Sequence, residues 1–242
     1  RGGRNGDPTQ RNTSLFPETE GIQLGSDTVE VNYPTIRSLN IKGGLVGVHA
    51  KGALEGVIED VNIQDVTQAC IWLEPSVTHD PSFWRISNVN LTPSPTAFAL
   101  KAYRPGDLMV HNAFLYGGKA CLAVEHGGSH KYIQVMFKWA FENFVTYYGG
   151  GDLIFSAFSV DSYRGASIGV HDGMQFVSTS SISITSGQFQ GAGVSGGRLR
   201  HAITSQSHDK LMVTDNLFQG FADAPIKLVG EAAYINGNYF VS

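Results

Sequence analysis

The chain has 242 residues, of which 16% are charged and 11% aromatic, with 29 glycines and a net charge of −4. That length suits one large domain or two small ones with a sizeable core, while the aromatics exclude a disordered chain and the Gly-rich composition excludes a coiled coil. No basic run is present to neutralise phosphates, so no nucleic-acid partner is expected, and no stretch nears 18 consecutive apolar residues, so no membrane span is expected.

Residues 1–26 open on RGGRNGDPTQ without Met and are rich in Gly, Pro, Asn, Thr and Arg. They read as an extended arm or the edge of a further N-terminal region. From about Asp27 an eight-residue shape recurs: IRSLNIKG, IEDVNIQD, ISNVNLTP, MVHNAFLY, YIQVMFKW, ITSGQFQG, VTDNLFQG and INGNYFVS. Each begins on an apolar residue, and a second apolar anchor follows five positions later. The anchors are Ile41, Ile63, Leu91, Phe114, Phe137, Phe158, Phe189, Phe218 and Phe240, spaced by 22, 28, 23, 23, 21, 31, 29 and 22. The floor of 21–23 residues is the repeat, and longer intervals are that floor plus insertions. A second short apolar run follows most anchors: VGVHA, ACIWL, AFALK, ACLAV, ASIGV and APIKL. Insertions are expected at 74–84, near 171–181 and at 191–210, and such insertions map to loops. The chain stops in mid-coil at NYFVS, so its ends are expected to be cut or covered by partner chains.

No 10-residue segment of the repeat shows helical periodicity. A period near 22 is too short for βαβ units or a propeller blade, and the leucine-rich pattern is absent. Three short strands and three bends per turn fit, so residues 27–242 are expected to form an all-β, single-stranded parallel β-helix of about nine coils. Asn40, Asn62 and Asn90 precede their anchors by one residue, and Asn216 and Asn238 by two. Stacked coils would let such side chains hydrogen-bond along the axis, and Asn tolerates a left-handed corner. Ser38, Asp60, Asn88, Ser186 and Asp215, three before the anchor, read as solvent-facing polar residues.

The segment TIRSLNIKGGLVGVHAKGALEGVIEDVNIQDVTQACIWLEP (35–75) resembles the coils of the pectate-lyase-like, right-handed parallel β-helix superfamily. Its flavour is similar to that of bacteriophage tailspike and capsule depolymerase proteins. The resemblance implies a homotrimer with other virion or fibre chains, polysaccharide binding, hydrolysis or lysis of bacterial surface glycans, and a virion-tail or extracellular location. The signature motifs of pectate lyases and polygalacturonases are not apparent, so no catalytic residue carries over.

Strand alternation places Ala69, Ile71 and Leu73 inward and Cys70, Trp72 and Glu74 outward. Applied coil by coil, it gives an outer column of Trp72, Lys101, Glu125–His126, Tyr147–Tyr148 and His171–Asp172. Glu125 and Asp172, two coils apart, would lie roughly 10 Å apart, which suits an inverting glycosidase. Glu142 and Asp161 in adjacent coils form a second, retaining-type pair, with an ion pair to Arg164 as the plainer reading. Trp72, Trp84, Tyr103, Trp139, Tyr147 and Tyr148 are candidate sugar platforms, with His126 and His171 beside them. Trp139 and Phe141 serve equally as trimer contacts. A lyase variant would use Tyr148 or His126 as base. The His79-Asp80 and His208-Asp209 pairs fall in the expected insertions. No HExxH or Cys/His cluster occurs, so no transition metal and no cofactor is expected; calcium held by loop carboxylates is the alternative. Composition makes Cys70 and Cys121 buried free thiols, although parity turns Cys70 outward. The rival to an enzyme is a non-catalytic shaft or adhesin module of a trimeric fibre.

Overall fold

The computed structural model describes residues 20–230 and 232–241. Among them no helix forms, so none is long and apolar enough to cross a membrane. The strands are β1 (Glu20–Leu24), β2 (Thr35–Lys42), β3 (Val46–Lys51), β4 (Val57–Gln64), β5 (Ala69–Glu74), β6 (Trp84–Thr92) and β7 (Phe98–Tyr103). There follow β8 (Leu108–Tyr116), β9 (Ala120–Gly127), β10 (His130–Lys138), β11 (Val145–Ser156), β12 (Ser159–Asp161) and β13 (Met174–Thr185). The last are β14 (Gln188–Gln190), β15 (Ile203–Thr214), β16 (Leu217–Gln219), β17 (Ile226–Val229), β18 (Ala232–Asn236) and β19 (Tyr239–Val241). Each pairs in parallel with the strand one coil away, giving a right-handed parallel β-helix. Pairing begins with β1 on β3, so strand structure starts at Glu20; residues 1–19 of the expected arm lie outside the described residues.

Every coil passes over three faces. The first and second share one long strand in the early coils, and the bend between them is a single left-handed residue. Ser38, Asp60, Asn88, Asn112, Gln134, Ala157, Ser186, Asp215 and Gly237 occupy this bend, each with φ between 47° and 63°. These are the residues three before the anchor, so Asp60 and Asp215 turn the corner rather than merely facing solvent. None is β-branched, because a left-handed backbone brings Cβ against the following carbonyl. Asn40 and Asn62 instead stand one residue before the anchor and form part of an outer ladder, with Asn62 Nδ2 donating to Asn40 Oδ1 at 3.2 Å. The buried Asn216 forms another, donating to Asn238 Oδ1 at 3.0 Å and to the Thr214 carbonyl at 2.9 Å.

The anchors stack inside the second face as Ile41, Ile63, Leu91, Leu115, Phe137, Val160, Phe189, Phe218 and Phe240. Two expected anchors shift. Phe114 points outward beside the buried Leu115, and Phe158 lies inside but two positions early. Phe158 stands directly after the bend at Ala157, and its ring fills the space where a Cβ on Gly187 of the next coil would fall.

Insertions occupy different corners in the two halves. Early coils bulge between third and first face, at 25–34, 52–56, 75–83 and 104–107. From β11 onward that corner closes, and the chain bulges between second and third face, at 162–173 and 191–202. The second insertion therefore lies upstream of its expected place: Met174–Thr185 is strand, and ASIGV is loop with Ile168 and Val170 exposed. His208 likewise sits buried in β15, with Nδ1 2.8 Å from Ser205 Oγ. Cys70 and Cys121 are both buried free thiols, which overturns the outward parity of Cys70, and burial pushes both thiols' pKa up.

The bend column makes a prediction. Asn88→Val should lower stability by about 2 kcal/mol, whereas Ala157→Gly should raise it by up to about 1 kcal/mol. Urea midpoints compared with the parent chain measure both; an unchanged Asn88→Val midpoint would contradict the bend's role.

Candidate functional site

The bulged corner of the early coils opens a groove of about 670 Å³ along the first face. Its floor is the outward column Thr35, Val57, Arg85, Met109 and Lys131, paired in register across five coils. Two residues earlier on each coil stand Tyr33, Glu55, Phe83, Asp107 and Ser129, which form the rim. Tyr33, Glu55 and Phe83 are all left-handed, with φ of 56°, 54° and 57°. This conformation lifts their side chains out of the strand path, so Tyr33 and Phe83 are 69% and 56% exposed. Among the described residues Glu55, Arg85, Lys131 and Asp107 make no ion pair, and Asp107 Oδ1 accepts from the Ser129 amide at 3.4 Å. Adjacent coils lie about 4.8 Å apart, so the Glu55 and Asp107 backbones stand roughly 10 Å apart with Phe83 between them.

The groove wall rests on a buried imidazole. His130 Nε2 donates to the Gly106 carbonyl at 2.9 Å, and Nδ1 accepts from the Tyr147 hydroxyl at 3.2 Å. Desolvation lowers the His130 pKa to about 4, and burial raises that of Tyr147.

The structure separates the expected catalytic pair. Glu125 pairs in register with Tyr148, and Tyr148 pairs with Val177, not with His171 or Asp172. Asp172 lies five residues before Val177, at the other end of the third face. Two coil rises and five strand residues put it roughly 19 Å from Glu125, too far for an inverting pair. Asp172 is also only 1% exposed. Arg200 Nε and Nη2 donate to its carboxylate at 3.0 and 2.8 Å, and Thr204 Oγ1 donates at 3.1 Å. Its amide donates to Asn143 Oδ1 at 2.8 Å, so Asp172 staples the two late insertions together. Half-buried His171 packs against Tyr163 at 6.2 Å between ring centroids.

The second pair is divided too. Glu142 faces Lys119 at 3.9 Å and Asp161 faces Lys138 at 3.1 Å, while Arg164 lies over the Trp139 ring at 4.6 Å instead of pairing with either. Two sugar platforms are internal. Trp84 is buried, its Nε1 donating to the Ala53 carbonyl at 3.0 Å, and Gly56 leaves room for its ring. Tyr147 occupies the inward column between Val124 and Phe176. Trp72 does lie outward, but His49 stacks on it at 4.9 Å and Lys101 Nζ lies 4.4 Å from its centre. Tyr103, Glu125, His126 and Tyr148 are all exposed. Among the described residues no group of three His, Cys, Asp or Glu side chains is placed to hold a metal ion.

Glu55 and Asp107 escaped the sequence reading. With the true anchors, Tyr33, Glu55, Phe83, Asp107 and Ser129 each precede the anchor by eight residues. Taking Phe114 as an anchor hid that offset.

Neither a protein-family model nor a curated protein sequence matches the chain. Among solved structures it is similar to the periplasmic alginate epimerase AlgG, at 12% identity with a TM-score of 0.58 over 93% of this chain. The match spans 59% of that protein's length. This likeness establishes the parallel β-helix fold.

The His130 site predicts a pH dependence. Its folded pKa of about 4 lies below the unfolded value of 6.5, so the unfolded chain binds the proton first. The stability it contributes is full above about pH 6.5 and falls by about 3 kcal/mol as pH drops towards 4. His130→Gln should flatten that slope in urea melts at stepped pH; an unchanged slope would contradict it.

Proposed function

We propose that this chain is a tailspike-like β-helix domain that binds and hydrolyses a bacterial surface polysaccharide, as part of a homotrimeric fibre on a virion tail or outside the cell. The observation that carries this reading is the groove. Its open rings, Tyr33 and Phe83, suit the apolar faces of pyranose units. Between and beside them stand two carboxylates, Glu55 and Asp107, in alternate coils. A backbone separation of roughly 10 Å lets the carboxyl groups reach the spacing of an inverting pair. One would protonate the glycosidic oxygen while the other takes a proton from the attacking water on the opposite side of the sugar. Arg85 and Lys131 along the floor would pair with acidic substituents of the polymer. The coil sequences support the tailspike comparison, and the similar solved structure is an epimerase of alginate, so the fold serves a sugar-polymer enzyme there.

One observation favours the non-catalytic shaft. Phe114, Tyr116 and Trp139 form an outer ladder with centroid spacings of 5.7 and 5.0 Å, capped by Arg164. Such a ladder would suit a trimer interface.

Incubation with capsular, O-antigen and teichoic polymers separates these readings. Hydrolysis releases reducing ends without the absorbance of unsaturated uronates, whereas elimination gives both. Glu55→Gln and Asp107→Asn should each slow hydrolysis at least about 100-fold. Full activity in either variant would remove the groove as the active site, and no product from any bound polymer would favour the shaft.

A further inference from the structure

We propose a second glycan site on the third face, built from Tyr103, Glu125, His126 and Tyr148, which holds polymer without cutting it. The proposal rests on the polysaccharide reading. Tyr103, Glu125 and Tyr148 pair in register on three adjacent coils, so a carboxylate lies between two phenol rings about 4.8 Å to either side. The tyrosines are 38% and 41% exposed, and Glu125 makes no ion pair among the described residues. Tyr148 has no ring partner among the described residues, and Tyr103 has one there, His126, nearly perpendicular at 5.9 Å between centroids. These rings differ from those of Trp72, Tyr116 and Trp139, whose faces are taken by neighbouring rings or cations.

The corner beyond the column is bare. Gly127 and Gly128 on one coil meet Gly150 and Gly151 on the next, while Gly149 lies against His126. A Cβ on Gly150 or Gly151 would strike the Gly127 or Gly128 carbonyl, so the coils stack here only as glycine. The consequence is a shelf without side chains beside Tyr148, where a ligand can approach the backbone closely.

The column holds but does not cleave because its other carboxylate is engaged. Glu74, two coils before Glu125, faces Lys51 at 3.4 Å and His49 at 3.2 Å. Glu125 is left as an acceptor for sugar hydroxyls, with the tyrosine rings covering pyranose faces. Its negative charge, without a paired cation, selects neutral, hydroxyl-rich units over acidic ones. The ligand class is therefore a neutral stretch of the polymer whose other units lie in the groove.

The test uses the full chain and the polymer it acts on. Tyr103→Ala/Tyr148→Ala should weaken retardation in gels carrying the polymer by roughly tenfold, also in the Glu55→Gln background where turnover is lost. On the polymer KM should rise similarly, with kcat on its short fragments unchanged. Glu125→Gln should weaken binding of neutral fragments but keep the circular dichroism of the parent. Unchanged retardation would overturn the second site. An equal loss of kcat on polymer and on fragments would place the column in catalysis and overturn it too. A parent chain that binds no polymer would sink the polysaccharide reading and this site together; a parent that binds while the tyrosine variant behaves identically sinks this site alone.

Discussion

The fold depends on one repeated backbone event: a single left-handed residue between the first and second faces, stacked nine coils high from Ser38 to Gly237. A left-handed L-residue costs about 1–2 kcal/mol. The cost is borne at every coil because a one-residue bend is what lets two strands on adjacent faces share continuous pairing. Asp, Asn, Ser and Gly lower it, and Gln134 and Ala157 are tolerated. Because the bend has fixed length, the residues on either side keep their parity, and apolar positions fall inward coil after coil. The stack of the buried Phe189 and Phe218 with the exposed Phe240 of the last coil, with centroids 4.9 and 5.2 Å apart, follows from that constancy.

The corners without this restriction carry the variation. The bend from second to third face lengthens in the late coils, and the Asp172–Arg200 pair ties its two insertions together. The bend from third to first face lengthens in the early coils and opens the groove. Where it closes, at β11, Gly150 and Gly151 bring successive coils into backbone contact. Groove and shelf thus lie on the two sides of one corner, which is the place where side chains are free of both core packing and inter-coil ladders.

The fold was legible in the sequence because anchors recur with a floor of 21–23 residues and no helical period competes. Register was only partly legible. In MVHNAFLY both Phe114 and Leu115 are apolar, and only the left-handed Asn112 three residues ahead of Leu115 decides between them. Around 162–173 an apolar run, ASIGV, imitated a strand although it is loop, which displaced the count and brought Asp172 into a column it does not join. Trp84 beside the first insertion looks like a ligand platform, and a parity count from the anchors turns Tyr147 outward with Tyr148. Their inward parity, with Gly56 making room for Trp84, is visible only once coils are aligned. Tyr103, Glu125 and Tyr148 share one outward column because they lie within β7, β9 and β11, where no insertion intervenes.

Charge placement follows from the same geometry. A coil of about 22 residues gives its inward positions to apolar side chains, and much of the second face's outer row to Asn, Gln and Thr. Many remaining charges are spent on neighbours, as in Arg37 with Glu59 at 2.9 Å and Lys51 with Asp27 at 2.9 Å. Other carboxylates find no cation at all, and among the described residues Glu55, Asp107, Glu125, Asp152 and Asp209 have no ion-pair partner. Glu55 and Glu125 are both of this kind, and each stands beside open aromatic rings. Inter-coil ladders satisfy charges wherever adjacent coils offer opposite partners. At these two positions the adjacent coils offer Tyr33 and Phe83, or Tyr103 and Tyr148, which leaves the carboxylates to a ligand with hydroxyl groups and apolar faces.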